Sequence, residues 1–484
     1  MQGKSLALLL MVLYGSAFLA GFNENLVNMA LMAIMSEYGV DSVTAQWLVT
    51  GYMIVATVVV MCMAFLYRRF NLRTLYFAAA LFSFAGSLMG LLSFSFEFLM
   101  AARLVQAVGT GMFIPLMMNT VLVVTPKNKL GTYISIGGCT ITFGPAFAPV
   151  VCGALVTAFG WHSIFAVPTV AMAVLAVVAV FAVKNLKTSE AHLDVPSVLL
   201  SAALLTSLSL GMAELTISVP VAVGSLAVFA LSAALFIARQ LKCDHPLIDL
   251  TPVKSRAFWP SLVLTAIAMI GSFSCSVLLP LYFEGATGLT AFAAGLVMLV
   301  PVLGNAGATL CAGRIMDKRG EWPLLPLGFG VIAVGFVVMA ILAPSLSLPV
   351  MFVAAFLVYA GTGLIFSPSQ TAGLKTLPPA MNPFGVALST TVVQVAACVG
   401  PSLYTGILST GQGAALAAGV DGGLATAQGF SMAMIVAAAI AAAGAVLAFG
   451  YARAAVARAA AHSGSPAMAG SPAGGAGKAA ARQA

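Results

Sequence analysis

Polar positions are rare along this chain. They divide it into apolar runs of about twenty residues, separated by short connectors marked by charge, Pro or Gly. A helix of about twenty apolar residues crosses the roughly 30 Å hydrocarbon layer of a bilayer. The runs predict fourteen membrane-spanning helices, near 6–33, 47–67, 75–93, 98–124, 131–158, 163–183, 196–214, 219–238, 259–282, 291–312, 323–343, 349–374, 384–408 and 430–451. The first run breaks its own rule. Its stretch GFNENLVNMAL sets Asn23, Glu24, Asn25 and Asn28 where a lipid-facing helix holds leucine. In a continuous helix Glu24 and Asn28, at i and i+4, share a face.

Composition supports the reading. Of 484 residues, 7% are charged and 61% hydrophobic, against roughly 25% charged in soluble domains. The formal charge of +8 is spread through short connectors with no large basic cluster, so nucleic acid is not an expected partner. The seven cysteines form no CxxC pair and have no His at ligand spacing, which excludes a disulfide frame or a metal site as the organising feature. The four histidines sit in connectors or the tail, away from acids. Neither a nucleophilic triad nor an ATP-binding motif is present, so an enzyme is not expected.

The charges also orient the spans. With the N-terminus cytoplasmic, the inner connectors collect the basic residues, among them Arg69, Arg73, Arg239, Arg256 and Lys375. The outer connectors carry Glu37, Asp41, Glu97, Glu284 and Asp421 and no Lys or Arg. This is the positive-inside distribution, and it places both termini in the cytoplasm. Beyond about residue 456 the chain is an Ala/Gly/Ser/Pro tail, expected to be disordered.

A single basic residue, Arg103, is left inside a span. It stands one turn from Gln106, which sets a fixed positive charge beside an amide. Intramembrane charges are costly, about 2.5–3.5 kcal/mol on insertion scales, and they generally line a path or pair with one another. Glu24 then suits a proton site or a counter-charge for a cationic substrate. Alternatively it is a structural carboxylate bonded to a neighbouring span, and Arg103, near its helix start, reaches up to the outer surface. The fifth span holds Gly144, Pro145, Pro149 and Gly153, a set of helix breakers and small residues that suits a hinge between moving halves. Two inner connectors echo each other: GRIMDKRG, from Gly313 to Gly320, and AFLYRRFNLR, from Ala64 to Arg73. The echo suggests duplicated halves, with the seventh and eighth spans inserted between them.

Together these segments resemble the major facilitator superfamily, in particular its fourteen-span drug:proton antiporter branch. NENLVNMAL is similar to the branch's first-span signature, matching at Asn28, Ala30 and Leu31, with the family Asp falling on Asn23 and an acid one place later at Glu24. Arg103, Gln106 and Gly109 match its fourth-span motif, and Ala148, Pro149, Cys152 and Gly153 its antiporter motif in degraded form. Gly313, Asp317 and Gly320 match its loop motif. The resemblance implies an all-α integral membrane protein: a six-helix bundle over 1–190, two extra helices over 191–245, a second six-helix bundle over 246–455 and a tail over 456–484. It implies a monomeric plasma-membrane exporter of amphipathic or cationic compounds that needs no cofactor and draws on the proton gradient. Transport of one specific metabolite or lipid-like product by the same fold is the alternative, and a membrane sensor a more distant one. In that scheme Glu24, Arg103 and Gln106 couple protons, and Asn23, Asn25 and Asn28 contact substrate. Gly144, Pro145, Pro149 and Gly153 form the hinge. Gly313, Arg314, Asp317 and Gly320, with Arg73, form an inner latch.

Overall fold

The computed structural model describes residues 3–125, 130–185, 194–215, 217–243, 247, 250–319, 324–378 and 381–463. Fifteen α-helices cover the fourteen predicted runs: α1 (Gly3–Asn25), α2 (Leu31–Tyr38), α3 (Ser42–Arg69), α4 (Leu72–Leu91), α5 (Phe96–Val124), α6 (Leu130–Phe159), α7 (Ala166–Ala182), α8 (Val195–Ala213), α9 (Val219–Lys242), α10 (Trp259–Gly285), α11 (Ala291–Arg319), α12 (Leu324–Leu342), α13 (Leu348–Leu374), α14 (Asn382–Ala417) and α15 (Gly422–Ser463). Among the described residues thirteen helical segments are long and apolar enough to cross a bilayer. The fourteenth run is α6, through its apolar stretch Phe143–Phe159.

The connectors stop the helices by local chemistry. Gly39 closes α2 in the left-handed conformation, φ 64°, which glycine adopts without a Cβ penalty. Asp41 caps α3 by accepting the Thr44 N–H at 2.8 Å, and Ser95 caps α5 by accepting the Phe98 N–H at 3.2 Å. Proline opens α8, α9, α10 and α13, where its missing N–H has no helical partner to lose.

The helices pack as two six-membered bundles. In the first, α5 lies against α3 and α4, while α1 lies against α5, α6 and α7. In the second, α13 lies against α10, α11 and α12, and α15 against α12 and α14. The bundles meet chiefly through two helix pairs, α6 with α11 and α3 with α14, with a smaller contact of α2 on α10. The first pair is backbone-close: a Cβ on Gly153 would fall 2.3 Å from the Ala291 carbonyl oxygen. In the second pair the Thr50 and Ser402 hydroxyls bond at 3.1 Å. The extra helices form a hairpin in which α8 packs on α14 and α3 while α9 packs on α8. At the open end of that hairpin Arg239 pairs with Asp194 at 2.6 Å.

Three expectations are corrected. The first predicted span is not one helix: its α-helical ladder stops at Asn25 and resumes at Leu31. Glu284, expected in an outer connector, belongs to the last turn of α10. The last helix continues to Ser463, past the start assigned to the tail; residues 464–484 lie outside the described residues.

Candidate functional site

The interruption of the first span is a consequence of its asparagines. Asn has low helix propensity because its short amide competes for backbone partners. Three of them within six residues offer such partners, and the chain takes a tight turn over 26–30. The Asn28 N–H bonds the Asn25 carbonyl at 3.2 Å and the Ala30 N–H bonds that of Val27 at 2.8 Å, both i to i+3. The Asn28 side-chain amide donates to Asn25 Oδ1 at 3.2 Å and, across the bundle interface, to Ser276 Oγ of α10 at 3.5 Å. Thus Glu24 and Asn28 do not stack on one helical face. The ladder that would align them ends between them, and Asn28 folds back on Asn25 instead. Irregular backbone at membrane depth survives only when protein covers it; Leu26 through Leu31 are all buried.

Ending a helix leaves its last carbonyls without intrahelical partners and gathers partial negative charge there. Arg103 of α5 answers that charge. Its side chain is 0% exposed, which overturns the alternative in which it reaches up to the outer surface. Arg103 Nη1 donates to the Asn23 carbonyl at 3.2 Å and to Gln106 Oε1, and Nε donates to the Leu48 carbonyl of α3 at 3.2 Å. Its guanidinium carbon lies 4.0 Å from the centre of the Tyr52 ring, a cation–π contact strengthened by desolvation. One nitrogen, Nη2, is buried without a partner, as are both side-chain polar atoms of Asn23.

A second layer holds these groups in place. Gln106 Nε2 donates to Ser87 Oγ at 2.8 Å, and the Tyr52 hydroxyl donates to Thr110 Oγ1 at 2.6 Å. The Gln106–Ser87 bond requires α4 and α5 to touch backbone to backbone. Gly86 permits it, since a Cβ there would lie 2.3 Å from the Gln106 nitrogen. Tyr52, Ser87 and Thr110 were not legible as site residues, because an isolated hydroxyl in an apolar span usually bonds its own helix. Only the crossing of α3, α4 and α5 brings them together.

Glu24 sits at the last turn of α1, partly buried, within electrostatic reach of Arg103 and Tyr52. Arg103 forms no ion pair with it; the described ion pair is Arg239–Asp194. The carboxylate therefore lies beside a fixed cation that is already engaged by carbonyls and an amide. Such a group can exchange a proton or face a cation without unlocking the arginine.

The remaining predicted residues separate. Gly144 lies against the α1 backbone, where a Cβ would meet the Phe18 carbonyl oxygen at 2.6 Å, and Pro145 packs against Gly21. Pro149 and Gly153 face α11, at Gly295 and Ala291. The four breakers thus serve two contacts, one within the first bundle and one between bundles, and α6 runs helical through both prolines. Arg73 is exposed, with its guanidinium 5.9 Å from the Phe77 ring centre. Gly313, Arg314 and Asp317 fall in the last turns of α11, but their side chains, and Gly320 altogether, lie outside the described residues.

Comparison with known proteins places this architecture. The family model described as Major Facilitator Superfamily matches residues 13–401. The lincomycin resistance protein LmrB of Listeria monocytogenes is 32% identical over 409 residues, covering 82% of this chain and 85% of that protein. The riboflavin transporter RibZ of Clostridioides difficile is 26% identical, covering 82% and 87%. Among solved structures, an inward-facing bacterial homologue of the human lysosomal transporter Spinster superposes with a TM-score of 0.67 at 13% identity, over 94% of this chain and 98% of that one. With two six-helix bundles, a polar site at their interface and these matches, the chain belongs to the major facilitator superfamily and is a multi-pass secondary transporter, not an enzyme.

Proposed function

We propose that the protein exports amphipathic, cationic compounds across the plasma membrane in exchange for protons, with both termini in the cytoplasm. The observation that carries this reading is Glu24. It is an ionisable group at the break of the first span, next to a buried arginine that its neighbours already hold, and close to the Asn28–Ser276 contact between the bundles. Glu24 takes up a proton from outside and gives it up inside, Arg103 and Gln106 hold the broken helix end, and Asn23, Asn25 and Asn28 offer polar contacts to substrate. The halves, near 1–190 and 246–455, rock about Pro149 and Gly153, while Gly144 and Pro145 keep α6 bound to α1. Each proton entering yields about 2.3 kcal/mol per 100 mV of membrane potential. Named relatives that confer lincomycin resistance support export of drugs. A named riboflavin transporter keeps the second reading, one specific metabolite, in play.

The test is dye transport in proteoliposomes under an imposed proton gradient, with wild type and Glu24→Gln compared. Wild type accumulates cationic dye only with the gradient, and the variant exchanges dye passively without accumulating it. Equal pumping by both sinks the role given to Glu24. If wild type moves no dye, the metabolite reading takes precedence.

A further inference from the structure

A groove of about 520 Å³ opens between the start of α10 and the far end of α15, on the face where the basic residues collect. Its volume lies in the roughly 300–1,000 Å³ range of small-molecule sites. The walls are apolar: Pro260, Val263 and Leu264 from α10, and Val446 and Leu447 from α15. Gly450 lines it too, and a Cβ there would meet nothing within 4 Å, so the floor is open at that point. From Trp259 to Leu264 it follows α10 for roughly 7.5 Å at ~1.5 Å per residue, and Arg256 lies in the turn just before that helix. The mouth is of different chemistry. Arg256 and the half-exposed Trp259 line it, and exposed Lys254 sits two residues before Arg256. Arg453, stacked 4.6 Å over Phe449, stands on the neighbouring flank of α15. Among the described residues no acidic side chain lines the groove and Arg256 has no carboxylate partner.

We infer that this groove holds one anionic phospholipid, with an acyl chain along Val263, Leu264, Val446 and Leu447 and the phosphate on Arg256. Three features select that occupant. Tryptophan and arginine at the mouth match the depth of the headgroup layer, and basic pockets between spans recognise anionic headgroups. Residues 464–484 carry Lys478 and Arg482 and no acidic side chain, so their side chains offer the mouth no counter-charge. A second copy docked about a two-fold axis would bring two Arg256 guanidiniums together. The inference does not depend on what the protein transports.

The full-length protein is exchanged into nanodiscs of phosphatidylglycerol and phosphatidylcholine in equal parts, and the lipid retained after mild detergent extraction is counted by native mass spectrometry. Wild type retains one phosphatidylglycerol per chain in preference to phosphatidylcholine. Arg256→Gln lowers that preference about fivefold, the worth of one arginine at an anionic surface. Gly450→Leu, whose Cβ meets nothing within 4 Å and whose longer side chain fills the open floor, lowers retention of either lipid. Leu231→Ala, on the exposed face of α9, changes neither. Equal retention of the two lipids by wild type, or wild-type behaviour in both groove variants, overturns the site.

Discussion

The two bundles solve the same packing problem with different chemistry at corresponding places. The fourth helix of the first bundle, α5, buries Arg103 and Gln106; the fourth helix of the second, α13, buries Thr362 and Ser369. Thr362 bonds only its own helix, to the Val358 carbonyl at 2.9 Å, and Ser369 bonds across to Ser261 of α10 at 2.8 Å. The first helix of the first bundle is interrupted after Asn25, whereas its counterpart α10 runs unbroken from Trp259 to Gly285. A buried cation needs several acceptors at once, and the interrupted helix adds the Asn23 carbonyl to Gln106 Oε1 and to the Leu48 carbonyl of the intact α3. A hydroxyl needs only one acceptor and finds it in its own helix, as Thr362 does, or in one neighbour, as Ser369 does. Charge and helix break therefore occur together in one half, while the other half offers a mostly neutral surface for it to work against.

The largest effect is expected from separating charge and break. Arg103→Leu strands the Asn23 carbonyl and Gln106 Oε1 in a buried place and removes the added bond to the Leu48 carbonyl. It should lower stability by on the order of 3 kcal/mol or more, since each hydrogen bond from a charged donor is worth roughly 1.5–3 kcal/mol. The matched change in the second bundle, Thr362→Val, should cost under about 1.5 kcal/mol. Thermal unfolding in one detergent compares the two, and equal losses would mean that the halves do not differ in the way described. Gly86→Ala sharpens the comparison with a smaller effect. Its Cβ collides with the Gln106 backbone, an overpacking of about 1–3 kcal/mol, and it should reduce gradient-driven dye accumulation more than it reduces unfolding temperature. A variant with full accumulation would show that the Gln106–Ser87 bond is dispensable.

The smallest effect belongs to the extra hairpin, which carries its ion pair at the surface. The Arg239 guanidinium, with help from Ser197, holds the Asp194 carboxyl down to about 2. Because the folded value is depressed below the ordinary carboxylate value of about 3.9, the stabilisation is complete above that value. It fades as pH falls towards 2. Asp194→Asn should remove that pH dependence and leave a small deficit at neutral pH that shrinks further in high salt. Unfolding temperature measured from pH 5 down to pH 3 checks it; parallel curves for wild type and variant would show that the pair contributes nothing.

Much was legible from the chain alone because one physical constraint dominates it. Hydrocarbon demands long apolar helices, so the run lengths mark the spans, and the cost of burying charge singles out Glu24 and Arg103. Propensity could have warned of the break, since three asparagines crowd Asn23 to Asn28. An apolar run, however, carries no mark that tells a continuous helix from an interrupted one. The partners of the site were not legible. Leu48 and Tyr52 on α3, Ser87 on α4 and Ser276 on α10 lie on three helices other than the segments that hold Arg103 and Asn28, and nothing in their neighbours distinguishes them from residues facing lipid.

The division between sequence and tertiary structure follows from the range of the forces. Transfer free energy acts residue by residue, so the sequence by itself determined that the chain is helical, membrane-embedded and fourteen-fold, and which ionisable groups are out of place. Where a buried arginine finds its acceptors depends on which helices cross at its depth. The tertiary structure alone decided that Arg103 points inward, that it closes the end of α1, and that Gly144 and Pro145 serve a contact within one bundle while Pro149 and Gly153 serve one between the two.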